Sequence, residues 1–135
     1  TREHIWVDRI ASAWLIQRFI DPKAKFEWFP KGKKASSRSH GFDYDGAEFT
    51  HTENLVTFEV LMNAFGLGSD DSLNHLARLI HYLDAGGVPV EGSEGIELVL
   101  KGLVALNEKD DRLLELAIPV FDGLYAYYSK RSESE

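Results

Sequence analysis

The sequence predicts an α+β fold that is mainly helical, with about five helices packed on a small sheet formed by the N-terminal third. Apolar residues recur at helical spacing in five segments, four of which follow residue 56. Short segments that are aromatic-rich or alternate in polarity occur only before residue 51. A length of 135 residues without internal repeats fits a single domain over residues 1–135.

The first helix is predicted at about residues 8–20 and is apolar nearly all round, which is typical of a buried element. Asp21-Pro22 ends it, because the residue before a proline is pushed out of helical geometry. Pro119 removes a backbone donor and is expected to kink or split the last helix. The four later helices are predicted at about 57–65, 69–83, 94–106 and 110–128.

The predicted sheet comes from four short segments: 4–7, 25–29, 42–44 and 47–50. The last two flank the turn Asp45-Gly46. Residues 31–41 are polar, contain glycine and lack periodicity, which predicts a mobile loop. Residues 129–135 are expected to form a frayed tail.

The composition restricts the classes of partner. Fifteen basic and 22 acidic residues give a net charge of −7, which argues against general binding to nucleic acids or anionic membranes. No apolar run is long enough to span a bilayer. The absence of cysteine excludes disulfides and thiolate metal sites, and is compatible with the cytoplasm. We therefore expect a cytoplasmic protein with no membrane partner.

Polar side chains interrupt the apolar face of the helix predicted at 69–83. Asp84 continues its inward stripe, and a buried carboxylate needs a partner. His81 is its neighbour at i, i+3 spacing, and a His-x-x-Asp pair on one helix suits metal binding. The alternative is that Asp84 pairs locally near the helix end and His81 is a half-exposed surface residue.

A second polar pair, Glu48 and His51, lies in the segment Gly46-Ala-Glu-Phe-Thr-His51. The two side chains converge if the backbone bends after Phe49, whereas a straight strand places them on opposite faces. An ordinary surface turn is the alternative. Together the two pairs suggest a ligand set for zinc, manganese or iron: Glu48, His51, His81 and Asp84.

The first helix carries two arginines, Arg9 and Arg18, that we consider candidates for binding an oxyanion. Arg9 lies at the helix start, where backbone N–H groups favour anions. Arg18 lies among apolar residues, so its charge must reach solvent or meet an anion. A structural ion pair is the simpler explanation of Arg18, with Glu48, Glu59 and Asp122 as candidate partners. The residues expected to support the site are Asp8, Ser12, Glu59 and Asp122.

Several segments occur in a distinctive order along the chain: Val7–Ile16 followed by Arg18-Phe-Ile-Asp-Pro22, Gly46–His51, Thr57-Phe-Glu59 with Phe65-Gly-Leu67, His81–Asp84, and Phe121-Asp-Gly-Leu-Tyr125. Together they resemble the C-terminal domain of the bacterial chromate-resistance protein B family. The resemblance implies a role in oxyanion stress, such as sensing or handling chromate. The chain departs from the usual pattern at His-Tyr-Leu-Asp84, where the family more often has an acidic residue directly after the histidine.

Two functional hypotheses follow from the sequence. The first is a metal-binding domain linked to chromate or oxyanion stress, which senses or processes a small anion; no catalytic residue is assigned, and enzyme and sensor both remain open. The second is a noncatalytic interaction or regulatory module whose buried polar cluster fixes the packing of the helices.

Overall fold

The computed structural model describes residues 1–106 and 109–134, with the side chains of 132–134 left aside. It confirms the five predicted helices: α1 (Val7–Leu15), α2 (Thr57–Ala64), α3 (Asp71–Ala85), α4 (Ser93–Leu106) and α5 (Asp110–Ser134). A π-helical turn, Ile16–Ile20, extends α1 up to Asp21. None of these helices, over the residues described, is long and apolar enough to cross a membrane.

The predicted sheet, and with it the α+β class, is wrong. The described residues form no β-strand; two isolated bridges pair Arg2 with Phe29 and Phe42 with Phe49. Left-handed backbone conformations interrupt the segments that we expected to extend, with φ of 62° at His4 and 58° at Asp43. Non-glycine residues seldom adopt this region, and no strand continues through it. The fold is therefore helical, with irregular segments covering the helices.

The segments predicted as strands form hydrogen bonds with the helices and pack their apolar side chains on the core. The N–H groups of His4 and Ile5 donate to the two carboxylate oxygens of Asp110 at 3.0 Å, which ties the segment before α1 to the start of α5. Phe26 packs edge-on against Phe42 with their ring centroids 6.1 Å apart, and both belong to the core cluster or pack on it. The aromatic residues in this third of the chain therefore serve to cover the helices.

Helix α1 lies at the centre of the fold and packs against α2, α3 and α5. Its Trp14 is fully buried, with its ring near those of Phe58 and Phe121 at centroid distances of 6.5 and 6.0 Å. The indole Nε1–H donates to Oδ1 of Asp122 at 2.8 Å, so the buried ring keeps a polar partner. These contacts confirm that the first helix is the buried one.

Helix ends differ from the predicted ends for local reasons. Asp70, one residue after the predicted cap Ser69, accepts the N–H of Leu73 at 3.0 Å and begins α3. Helix α5 is continuous through Pro119, so the predicted split does not occur. Pro119 and Glu115 are both exposed, and water can therefore satisfy the carbonyl that loses its donor.

The expected fraying of residues 129–135 and mobility of 31–41 stay predictions; the backbone is helical up to Ser134, and residue 135 lies outside the described part.

Two leucines on α4 test the orientation of this helix. Leu100 is fully buried, whereas Leu98 is 71% exposed. We expect Leu100→Ala to lower the free energy of unfolding by about 2–5 kcal/mol, because it removes apolar contacts and leaves a cavity. The matched variant Leu98→Ala should change it by less than about 0.5 kcal/mol. Urea denaturation measures both values, and equal losses would contradict the packing described for α4.

Candidate functional site

A polar cluster forms where the N-termini of α1 and α2 meet loop residues 43–51 and the last turns of α3. Its most buried carboxylate is that of Asp8, which is 3% exposed. The Asp8 carboxylate accepts the N–H of Thr57 at 2.8 Å and that of Phe58 at 3.0 Å, and the Ser12 hydroxyl lies 3.4 Å away. Asp8 therefore caps α2 from a helix that begins 50 residues earlier, at the end where the helix dipole favours negative charge.

Burial, and after it the charges of Asp43 and Asp84, raise the pKa of Asp8 from 3.8 to about 7. The two N–H groups that Asp8 accepts act in the opposite direction. Asp8 consequently gains or loses its proton near neutral pH. Its charge affects the strength of the cap on α2 and the repulsion between Asp8 and the neighbouring acids.

Asp43 is a member of the cluster that sequence reasoning missed. Its Oδ1 accepts the Thr57 hydroxyl at 2.7 Å, and its Oδ2 lies 3.2 Å from Nε of Arg9. Nη2 of Arg9 also donates to the Asp43 carbonyl at 2.6 Å. The left-handed φ of 58° aims the backbone and the side chain of Asp43 at these partners together. The signal in the sequence was the pair of acids in Phe42-Asp-Tyr-Asp45, which we assigned to a strand and turn.

His81 is half-buried on α3 and pairs with Glu59 of α2. Its Nδ1 lies 2.6 Å from Oε1 of Glu59, and the same oxygen accepts the Val56 N–H at 3.0 Å. Because a carboxylate only accepts, Nδ1 must carry the proton in this bond. In the neutral ring Nε2 then bears the lone pair.

Asp84 lies three residues after His81, near the end of α3. We predicted that Asp84 would continue the buried stripe of α3. This is wrong, because the end of α3 extends beyond the core and Asp84 is exposed. Its carboxyl group is nevertheless close to protein: partial burial and then the charge of Asp43 raise its pKa, while His51, Arg9 and His81 lower it. The structure thus brings His51 and His81 into the electrostatic surroundings of Asp84.

Glu48, the fourth predicted ligand, has a different partner. Its Oε2 lies 2.8 Å from Nδ1 of His40, and its side chain is 53% exposed. Both residues line a cavity of about 540 Å³ whose walls include Phe42 and Phe49. As placed, Glu48 is bonded to the 31–41 loop.

Arg18 forms an ion pair with Asp122, as the simpler explanation predicted. Its Nε and Nη2 donate to the two carboxylate oxygens at 3.0 and 2.9 Å, and Asp122 also accepts from Trp14. The bond from Arg18 is the first cause of the lowered pKa of Asp122. The anion-binding role of Arg9 and Arg18 stays a prediction, since both guanidinium groups contact carboxylates here.

No three histidine or carboxylate side chains in residues 1–106 and 109–131 are placed so that they hold a metal ion as they stand. His51 is exposed, whereas His81 is held by Glu59. A metal site made from the predicted residues would therefore require His51, Asp84 or Glu48 to reorient towards His81.

The raised pKa of Asp8 gives a pH dependence with a definite sign. The folded protein keeps a proton that the unfolded chain releases above pH 3.8, so the stabilising contribution is full below about pH 4 and is lost as the pH rises through 7. The upper limit of this loss is about 4 kcal/mol. We expect the free energy of unfolding of the metal-free protein to fall more steeply between pH 5 and 7.5 than that of Asp8→Asn.

Denaturation at several pH values measures these slopes, and Asp45→Asn, in an exposed turn, is the control that should keep the wild-type slope. Identical slopes for wild type and Asp8→Asn would show that Asp8 ionises normally.

A double-mutant cycle tests the pairing of Arg9 with Asp43. We expect a coupling energy of about 1–3 kcal/mol between Arg9→Met and Asp43→Asn, because both side chains are largely buried. The exposed pair Arg18 and Asp122, with the variants Arg18→Met and Asp122→Asn, should give less than about 1 kcal/mol. Chemical denaturation supplies the four stabilities of each cycle. A coupling at Arg9 no larger than that at Arg18 would argue against a structural role for the Arg9 pair.

Comparison with known proteins places this geometry in a family. The family model described as ChrB, C-terminal domain matches residues 1–128, which include every residue of the candidate site. Protein ChrB of Cupriavidus metallidurans is 48% identical over 129 residues, which make up 96% of this chain and 40% of that relative. The chain thus spans less than half the length of the relative it matches, and no solved structure matches it. The predicted resemblance is confirmed, and this chain belongs to the family of ChrB C-terminal domains.

Proposed function

We propose that this domain serves the response to chromate by binding a divalent transition-metal ion beside the end of α3. His81 and Asp84 would bind the ion from the helix, and His51 from the loop before α2. The observation that carries the proposal is the 2.6 Å contact between Nδ1 of His81 and Oε1 of Glu59.

That contact is the arrangement found behind metal-bound histidines. A carboxylate that accepts one ring N–H fixes the tautomer and the ring orientation, and makes the other nitrogen a better ligand. Glu59 is itself held, because its oxygen also accepts the N–H of Val56 at the start of α2. A histidine on the rim of a helix end does not need such support if its role is only to face solvent.

Asp84 and His51 fit the same ion. A cation would relieve the repulsion that Asp43 exerts on Asp84 and that raises its pKa. The exposed side chain of His51 is free of the packing that holds His81 and has room to turn. Two imidazoles and a carboxylate without sulfur suit zinc, manganese or iron, and three protein ligands leave one position for an anion.

The link to chromate rests on the family. A bound metal ion polarises the oxygens of an anion, and Arg9 lies in the electrostatic surroundings of Asp84. An oxyanion that used Arg9 would compete with Asp43, which now lies 3.2 Å from its Nε. Arg18, bonded through two nitrogens to Asp122, is the weaker candidate for this role. The same arrangement serves a sensor or an enzyme.

A second function is favoured by a separate observation. Asp8, Arg9 and Arg18 each have protein partners, as a cluster that only fixes helix packing would require. On this reading the domain is a noncatalytic interaction module, and its buried charges specify how α1 and α2 dock.

Metal titration distinguishes the two functions. Calorimetry of the chelator-treated protein with Zn²⁺ or Mn²⁺ should show one site per chain, which His81→Ala removes. Glu59→Gln keeps an acceptor for the Val56 N–H but loses the charge behind His81, so we expect affinity to fall about 10- to 100-fold.

His75→Ala is the matched control, because His75 lies on the same helix and bonds Arg78 instead of a carboxylate. It should bind metal like the wild type. Absence of binding to the wild type, or equal affinity in wild type and His81→Ala, would favour the noncatalytic module. The metal affinity of Glu48→Gln shows whether Glu48 leaves His40 and binds the ion.

A further inference from the structure

A second cavity, of about 730 Å³, lies between α3, α5 and the glycine-rich loop 86–92. Its volume falls within the range of small-molecule sites in proteins. It shares His81 with the proposed metal site, and the other residues that line it belong to neither that site nor the cluster around Asp8.

One wall of the cavity is aromatic. The buried Tyr128 stacks on the ring of His75, with centroids 5.2 Å apart and planes inclined by 15°. Tyr127 meets Tyr128 edge-on at 5.6 Å and is itself 60% exposed. A large exposed aromatic ring beside a stacked pair offers a surface on which a flat heterocycle can stack.

The charge of the lining is positive although the chain is acidic. Two arginines line the cavity against one carboxylate, that of Glu91, in a chain of net charge −7. Nη2 of Arg78 donates to Nδ1 of His75 at 2.9 Å, so its partner is a ring nitrogen that does not neutralise the guanidinium. No described carboxylate forms an ion pair with Arg78.

Arg78 and Arg131 both influence the pKa of Tyr128 in the aromatic wall. Burial raises the pKa of the Tyr128 hydroxyl. The neighbouring Tyr127 and Glu91 also raise this pKa, whereas both arginines lower it. The two guanidinium groups, the Glu91 carboxylate and the aromatic wall therefore lie at one end of the cavity. Arginine suits this position because its planar fork matches phosphate oxygens.

Another part of the lining, at Gly86 and Gly87, is open backbone. Gly86 and Gly87 have φ of 84° and 98°, and the space where a side chain would start is empty to 4 Å at both. A side chain at either position would strain the loop and narrow the cavity, whereas glycine lets a ligand approach the backbone.

We infer that this cavity binds a heteroaromatic phosphate of the size of a mononucleotide, with the base stacked on Tyr127 and the phosphate held by Arg78. The exposed ring accounts for the flat part of such a ligand, and the uncompensated guanidinium of Arg78 accounts for its anionic part. The volume accommodates a base, a sugar and a phosphate, and a single-ring acid would leave much of it empty. The inference does not require the proposed metal site.

Calorimetric titration with AMP, adenosine and inorganic phosphate tests it, in buffer with EDTA so that metal binding plays no part. We expect AMP to bind at least tenfold more tightly than adenosine or phosphate alone. Arg78→Gln should lower AMP affinity at least tenfold and leave adenosine binding within twofold of the wild type. Tyr127→Ala should weaken both ligands at least fivefold, while Tyr127→Phe retains the ring and the affinity.

Arg112→Gln is the matched control, because Arg112 is an exposed arginine on α5 that pairs with Glu115 outside the cavity. It should bind AMP like the wild type. Arg78 and Arg112 are both exposed, so circular dichroism should show unchanged helix content in both variants. Failure of the folded wild type to bind AMP at about 1 mM would overturn the inference. So would an equal loss of affinity in Arg78→Gln and Arg112→Gln.

Discussion

The carboxylate of Asp8 is the constraint on which the rest of this structure depends. It satisfies two N–H groups at the start of α2 and so fixes the position of α2 against α1. That position in turn sets Thr57, which bonds Asp43, and Glu59, which bonds His81. A buried acid without these donors would cost several kcal/mol, so the cap and the burial are possible only together.

The cap has an electrostatic consequence for the site. It places Asp8 within reach of the charges of Asp43 and Asp84, and the three acids face Arg9 and two histidines. Like charges held together favour either a shared proton or a cation. The residues that dock α2 against α1 therefore also set the charge around Asp84, where we propose that a metal ion binds.

The helices could be predicted from the sequence because apolar spacing is a local property. The absence of a sheet could not be predicted. Aromatic residues that alternate along a strand and aromatic residues that cover a helix give the same sequence pattern, as Phe26 and Phe42 show. The site was predicted in part: Glu59, His81 and Asp8 were named, but the bond between Glu59 and His81 spans 22 residues and is set by tertiary packing. Asp43 was missed because its role depends on a left-handed backbone that composition does not reveal.

The most direct test of the central claim is nitrogen NMR of the ring of His81 in the metal-free protein, followed by addition of Zn²⁺. The structure predicts that in the neutral ring Nδ1 carries the proton bonded to Glu59 and Nε2 bears the lone pair, and that Zn²⁺ shifts the Nε2 resonance. A proton on Nε2 with Nδ1 bare, or an Nε2 resonance that Zn²⁺ leaves unchanged, would contradict the claim that Glu59 prepares His81 to bind a metal ion.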